Sequence, residues 1–137
     1  MFTTIRWQQR FQNFEKAYKR LLDAIDRVGK TPDDQLLAAG LIQTYEFTME
    51  LGWKTMKDFL VDKGFDLSGS KDVMRQALQE GFIVDARIWL EAIDARNETA
   101  HIYDEQKAKE IVDAITLKYR EMLTEVYEFF KKEYNAG

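Results

Sequence analysis

Six apolar residues, Phe11, Phe14, Tyr18, Leu21, Ile25 and Val28, follow one another at alternating three- and four-residue steps. A helix turns once in about 3.6 residues, so this spacing keeps all six side chains on one face, whereas a strand would scatter them over both. The stripe predicts a long helix that ends near Gly29, and it commits the chain to helix-on-helix packing, because a single amphipathic helix must bury its apolar face against another. Gly29-Lys30-Thr31-Pro32-Asp33-Asp34 reads as a linker, with Pro32 unable to continue the helix.

The same periodicity recurs twice. Leu37, Leu41, Tyr45, Met49, Met56 and Phe59 or Leu60 mark a second helix over Gln35 to Lys63, stopped by Gly64. Ile111, Ile115, Tyr119, Met122, Val126 and Phe129 mark a last one, with Asp104 as its cap. Between them, residues 65–70 read as a loop. Ser70 is placed to cap a short helix, Lys71 to Glu80, which Gly81 ends, and Asp85 to cap another, with Ile88, Trp89, Ala92 and Ile93 inward and Arg96 near its end. One proline and seven glycines are too few for a turn-rich all-β chain. The expected fold is therefore all-α: an antiparallel up-and-down bundle of four main helices plus a short one, forming a single domain over residues 1–137. The near-heptad stripes also suit pairing between subunits.

Composition narrows the function. There is no cysteine and one histidine, so neither disulfides, thiolate chemistry nor a transition-metal site is expected, and no cofactor is called for. Glu46 and Glu50 lie one turn apart, but no Asp-x-Asp pattern joins them in a metal motif. Without an apolar run of membrane-spanning length or a leader at the N-terminus, the chain reads as cytoplasmic with no membrane partner. A formal charge of −4 argues against indiscriminate nucleic-acid binding, though not against a local basic cleft.

The residues richest in chemistry are Arg96, Asn97, His101 and Tyr103, within eight consecutive positions. Imidazole exchanges protons near neutral pH, and a guanidinium fork fits phosphate oxygens. Neutral His101 can take the proton of a ribose 2′-hydroxyl, and its conjugate acid can protonate the leaving oxygen. Arg96 would hold the scissile phosphate, Asn97 would orient the histidine or bind a phosphate oxygen, and Tyr103 would donate to phosphate or carry a modification. No metal is required, and the products would be a 2′,3′-cyclic phosphate and a 5′-hydroxyl. On a straight helix, Arg96 and His101 would lie roughly 140° apart. Convergence needs either an unwound segment near Ala100 or a twofold dimer that sets two copies across a cleft. The structural alternative pairs Arg96 with Asp94 or Glu91 on the surface and makes His101 a partly buried helix-ending residue.

Trp53 and Lys54, beside Glu50, are candidates for a cleft wall, with a core tryptophan and a solvated lysine as the alternative. Lys71, Arg75 and Arg87 are candidates for a basic rim toward RNA or a partner, or else ordinary surface charges. Trp89 reads as core, and the aromatic residues of the 129–134 stretch point to a contact beyond the domain's own core.

Arg96-Asn97-Glu98-Thr99-Ala100-His101-Ile102-Tyr103 resembles the R-x4-H-x-Y motif of HEPN-domain proteins, and more narrowly of the HepT-like group described as nucleotidyltransferase substrate-binding proteins. Residues 45–60 and 70–75, with Gly81, match the same group, so the resemblance runs roughly from Phe11 to Phe130. It implies a homodimer with two motifs facing a shared cleft and a separately encoded minimal nucleotidyltransferase as partner. In that setting the chain would be the ribonuclease toxin of a toxin–antitoxin pair, with RNA as substrate and Arg96, Asn97 and His101 as its catalytic residues. Tyr103 would be the site of adenylylation by the antitoxin. An older reading of the same pairing makes the chain a non-catalytic substrate-binding subunit of the transferase.

Overall fold

The computed structural model describes residues 6–97 and 104–136, with Arg96 and Asn97 described by their backbone. Six α-helices are described: α1 (Arg6–Lys30), α2 (Gln35–Asp62), α3 (Ser70–Glu80), α4 (Ala86–Asn97), α5 (Glu105–Ala114) and α6 (Arg120–Ala136). A π-helical turn, Ile115–Tyr119, joins the last two into one rod. Among the described residues none is in a strand.

Side-chain contacts fix the directions. Trp7 meets Phe59 and Arg10 meets Asp58, while Phe14 lies against Gly52, so α1 and α2 run antiparallel. Glu15 and Tyr18 meet Lys131 and Thr124, which makes α1 and the rod antiparallel as well. Chain α4 starts beside Phe82, which packs on Phe59, and reaches Tyr45 at Ala92, so it runs against α2. Main helices α1, α2, α4 and the rod thus form the expected up-and-down bundle, with α3 burying Val73, Met74 and Ala77 at the Phe59 end.

All six residues of the first stripe are buried, as are Leu41, Tyr45, Met49, Met56, Phe59 and Leu60 on α2. Close approach of α1 and α2 depends on Gly52, where a Cβ would sit 3.1 Å from the Phe14 ring. Asp85 accepts the amides of Arg87 and Ile88, and Asp104 those of Gln106 and Lys107, as capping predicts. Gly81 closes α3 at φ 86°, where a side chain would be strained.

Three local expectations change. Ser70 is the first residue of α3 and not its cap: Gly69 holds the cap position, and Asp72 reaches back to accept the hydroxyl and amide of Ser68. The rod is not uniformly α-helical. Ile111, Ile115 and Tyr119 are two four-residue steps that would drift about 80° around an α-helix, and the wider π turn takes out part of that drift. Phe130, rather than Phe129, then enters the core, and the terminal aromatics close onto the domain itself. Phe129 stacks on Phe82 at 4.7 Å, and Tyr134 packs on Phe11 and accepts a hydrogen bond from Gln12.

A buried-edge network also ties α1 to α6. Tyr127 and Lys131 both donate to Glu15, at 2.6 and 2.9 Å. The bond from Tyr127, then Lys131, hold the Glu15 carboxyl below its ordinary 4.5, against the opposing effect of burial. Burial, followed by the bond to Glu15, pushes Tyr127 up to about 12. A depressed carboxylate contributes stability above its unfolded pKa and loses it as pH falls through the folded value. A raised phenol contributes below 10 and loses that contribution as pH rises toward about 12. Urea melts should therefore show Glu15→Gln less destabilised by acid than the parent, and Tyr127→Phe losing part of the decline above pH 10.

Candidate functional site

Arg96 and Asn97 occupy the last turn of α4, and Asp104 is an extended residue capping α5. The R-x4-H-x-Y segment therefore joins two helix ends, and a straight helix through Asp104 is excluded. His101, Tyr103 and the side chains of Arg96 and Asn97 lie outside the described residues, as does the expected unwinding near Ala100.

The turn that carries Arg96 is anchored from two sides. Tyr45, fully buried on α2, donates its hydroxyl to the carbonyl of Ala92 at 2.8 Å. From the π turn, Lys118 and Tyr119 both reach Glu91, the tyrosine hydroxyl at 2.8 Å. Lys118, then Tyr119, hold the Glu91 carboxyl below its ordinary range. Glu91 thus has Lys118 and Tyr119 as described partners, where the sequence had offered it as a surface partner for Arg96. A shallow groove of about 560 Å³ on this face is lined by Arg87, Glu91, Asp94, Ala95 and Tyr119.

The remaining site residues lie elsewhere in the subunit. Trp53 packs partly buried against the core in mid α2, and Lys54 pairs with Glu50 at 3.2 Å. Lys54 lies nine positions after Tyr45, about 13 Å along the helix. Exposed Lys71 and Arg75 sit on α3 at the Phe59 end, Arg75 paired with Asp72, whereas α4 runs toward Tyr45 and away from that end. Within one subunit the described backbone of Arg96 and Asn97 therefore lies away from Lys71 and Arg75. Among the described residues no cluster of His, Cys, Asp or Glu is placed to hold a metal ion, and no helix is long and apolar enough to cross a membrane.

A second depression includes Glu105, the first residue of α5. It measures about 880 Å³ and lies between the end of α1, the 31–34 loop, the start of α2 and the α5–π-turn rod. Ile25, Val28 and Val112 supply apolar lining; Asp33, Asp34, Glu105 and Asp113 supply carboxylates, and Lys109 an ammonium. Leu36 and Leu117 stand at it 83% and 78% exposed. The sequence did not reveal this groove: Leu36 and Leu117 lie far apart in the chain and are apolar like any core residue. Nor did it reveal Glu91, Lys118 and Tyr119 as a cluster; the only signal was a hydroxyl on two core-stripe positions, Tyr45 and Tyr119.

Comparison with known proteins adds the following. A family model described as "Nucleotidyltransferase substrate binding protein like" matches residues 9–132. A Haemophilus influenzae protein named "Probable ribonuclease HepT" is 42% identical over 77 residues, covering 53% of each chain. The chain thus spans about half the length of the curated relative it matches. A Haemophilus influenzae structure, described as revealing the fold of a substrate binding domain of a nucleotidyltransferase, superposes with a TM-score of 0.81 at 27% identity. That match covers 88% of this chain and 98% of the other. A Thermus thermophilus crystal structure gives 0.71 at 28% identity, covering 82% and 94%.

Proposed function

Because the chain belongs to the nucleotidyltransferase substrate binding protein-like family, we propose that it is a HEPN-type, metal-independent endoribonuclease, the toxin of a pair whose antitoxin is a separately encoded minimal nucleotidyltransferase. The observation that carries this reading is the coincidence of Arg96, Asn97, His101 and Tyr103 in motif register with 42% identity to a relative named as a ribonuclease. His101 moves the proton, Arg96 clamps the phosphate and Asn97 supports them. The ribose 2′-oxygen attacks phosphorus, the bond to the 5′-oxygen breaks, and that oxygen leaves as a hydroxyl after accepting a proton.

The working unit in this reading is a homodimer, and the groove that starts at Glu105 is the surface that a second copy covers. It includes Glu105, two positions after the motif tyrosine in sequence, and it offers apolar side chains with both signs of charge, which suits a self-complementary twofold contact. Adenylylation of Tyr103 by the partner transferase would place an anion two residues from His101 and exclude an RNA phosphate.

The decisive test is RNA cleavage by the purified, unmodified protein in excess EDTA. Fragments ending in 2′,3′-cyclic phosphate and 5′-hydroxyl are expected. No cleavage across several RNAs by the folded protein would overturn the ribonuclease. That outcome would leave the second reading, a non-catalytic substrate-binding subunit of the transferase, which the family description and the Haemophilus influenzae structure favour.

A further inference from the structure

Helix α4 carries Arg96 and Asn97 on its last turn, and the turn before it is held by groups from two other elements. Ala92 is the residue whose carbonyl takes the Arg96 amide in a regular helix. The same carbonyl accepts the buried Tyr45 hydroxyl at 2.8 Å. One residue earlier, Glu91 is held by Lys118 and by the Tyr119 hydroxyl. The two tyrosine rings stack on each other, 5.8 Å apart and 20° from parallel.

Lys118 and Tyr119 are sequence neighbours, which on an α-helix point about 100° apart and do not share a partner by default. They lie in the π turn, a device that re-aims side chains and is frequent at functional sites. Both bonds fall on α4 itself, within five residues of Arg96: the Tyr45 bond on its buried side at Ala92, and the Tyr119 bond on its exposed side at Glu91. Packing alone would hold α4 against α2; two directed hydroxyl bonds add rotational and axial registration.

We propose that Tyr45 and Tyr119 are positioning residues that fix, through Ala92 and Glu91, the direction in which α4 presents Arg96 and Asn97. The proposal rests on the ribonuclease reading for its kinetic test and stands apart from it in a spectroscopic one.

Tyr45→Phe and Tyr119→Phe remove one oxygen each and keep both rings. For each, the melting curve should stay cooperative and KM for an RNA oligonucleotide should stay near the parent's, while kcat falls roughly ten- to a hundredfold, the scale of a small misplacement of catalytic groups. His101 is the only histidine, so its imidazole gives a single set of proton resonances, and their chemical shifts and titration midpoint should move in both variants. A lowered melting temperature with unchanged kcat and unmoved His101 resonances would reduce the tyrosines to ordinary packing and overturn the proposal. If the parent cleaves no RNA, the ribonuclease reading fails and the His101 resonances alone decide: movement supports the clamp, constancy overturns it.

Discussion

Alanine at His101 is expected to lower single-turnover RNA cleavage by about 10²- to 10⁴-fold, the usual contribution of a positioned proton-transfer group. The chain has no second imidazole and no thiol, so no side chain of the same kind stands in for His101 near neutral pH. Arg96→Ala should cost about 10²- to 10³-fold, because charge gathering on the phosphate loses its counter-ion in the transition state. Lysine at 96 keeps the charge and loses the fork, so Arg96→Lys should fall between the parent and Arg96→Ala. The two groups act on one transition state, and the double variant should lose much less than the product of the single losses. All variants should keep a cooperative melting curve, which separates loss of a catalytic group from loss of the fold. Residual cleavage in His101→Ala at the parent rate, in EDTA and with purified protein, would assign the activity to something other than this motif.

How much of this could be read beforehand depended on how local the physics is. The stripe from Phe11 to Val28 was legible because burial against any partner enforces the same period. Caps at Asp85 and Asp104 were legible because a carboxylate can reach the amides two and three residues ahead whatever the rest of the fold does. Ser70 was misread for the same reason turned around. Ser68, Gly69 and Ser70 all suit a helix start, and the choice among them was made by Asp72 turning back to Ser68. The π turn was hidden because Ile111, Ile115, Tyr119 and Met122 fit an α-helical stripe within its tolerance. In the π winding Tyr119 reaches both Glu91 and Tyr45, contacts between elements that the stripe alone does not specify. Phe129 and Phe130 are neighbours, and which of them faces inward follows from that winding. At the site, the motif announced itself by residue type, whereas the anchoring of its helix could not, since Tyr45, Glu91 and Tyr119 come from three elements and are ordinary residues in each.

Glutamate at Leu36 and Leu117 together is expected to convert the proposed homodimer into monomers. Both side chains are apolar and largely exposed, and they line one groove with Glu105, two positions after Tyr103 in sequence. Burying a leucine side chain completely is worth about 1.5–3 kcal/mol, and twofold symmetry counts each position twice. Removing four such contacts and placing four carboxylates where Asp33, Glu105 and Asp113 already stand should weaken association by more than about a hundredfold, or roughly 3 kcal/mol. Sedimentation velocity at micromolar protein would read this directly. The monomer should stay folded, because neither leucine belongs to the buried core. Val84→Glu is the control: Val84 is 77% exposed but does not line the groove, so the same charge there should leave the dimer intact. Cleavage should fall with the dimer and recover at protein concentrations that restore it, since the reading places two motifs on one cleft. A Leu36→Glu/Leu117→Glu protein that remains dimeric would move the interface away from this groove, and a monomer that cleaves RNA at the parent rate would place the whole catalytic apparatus within one subunit.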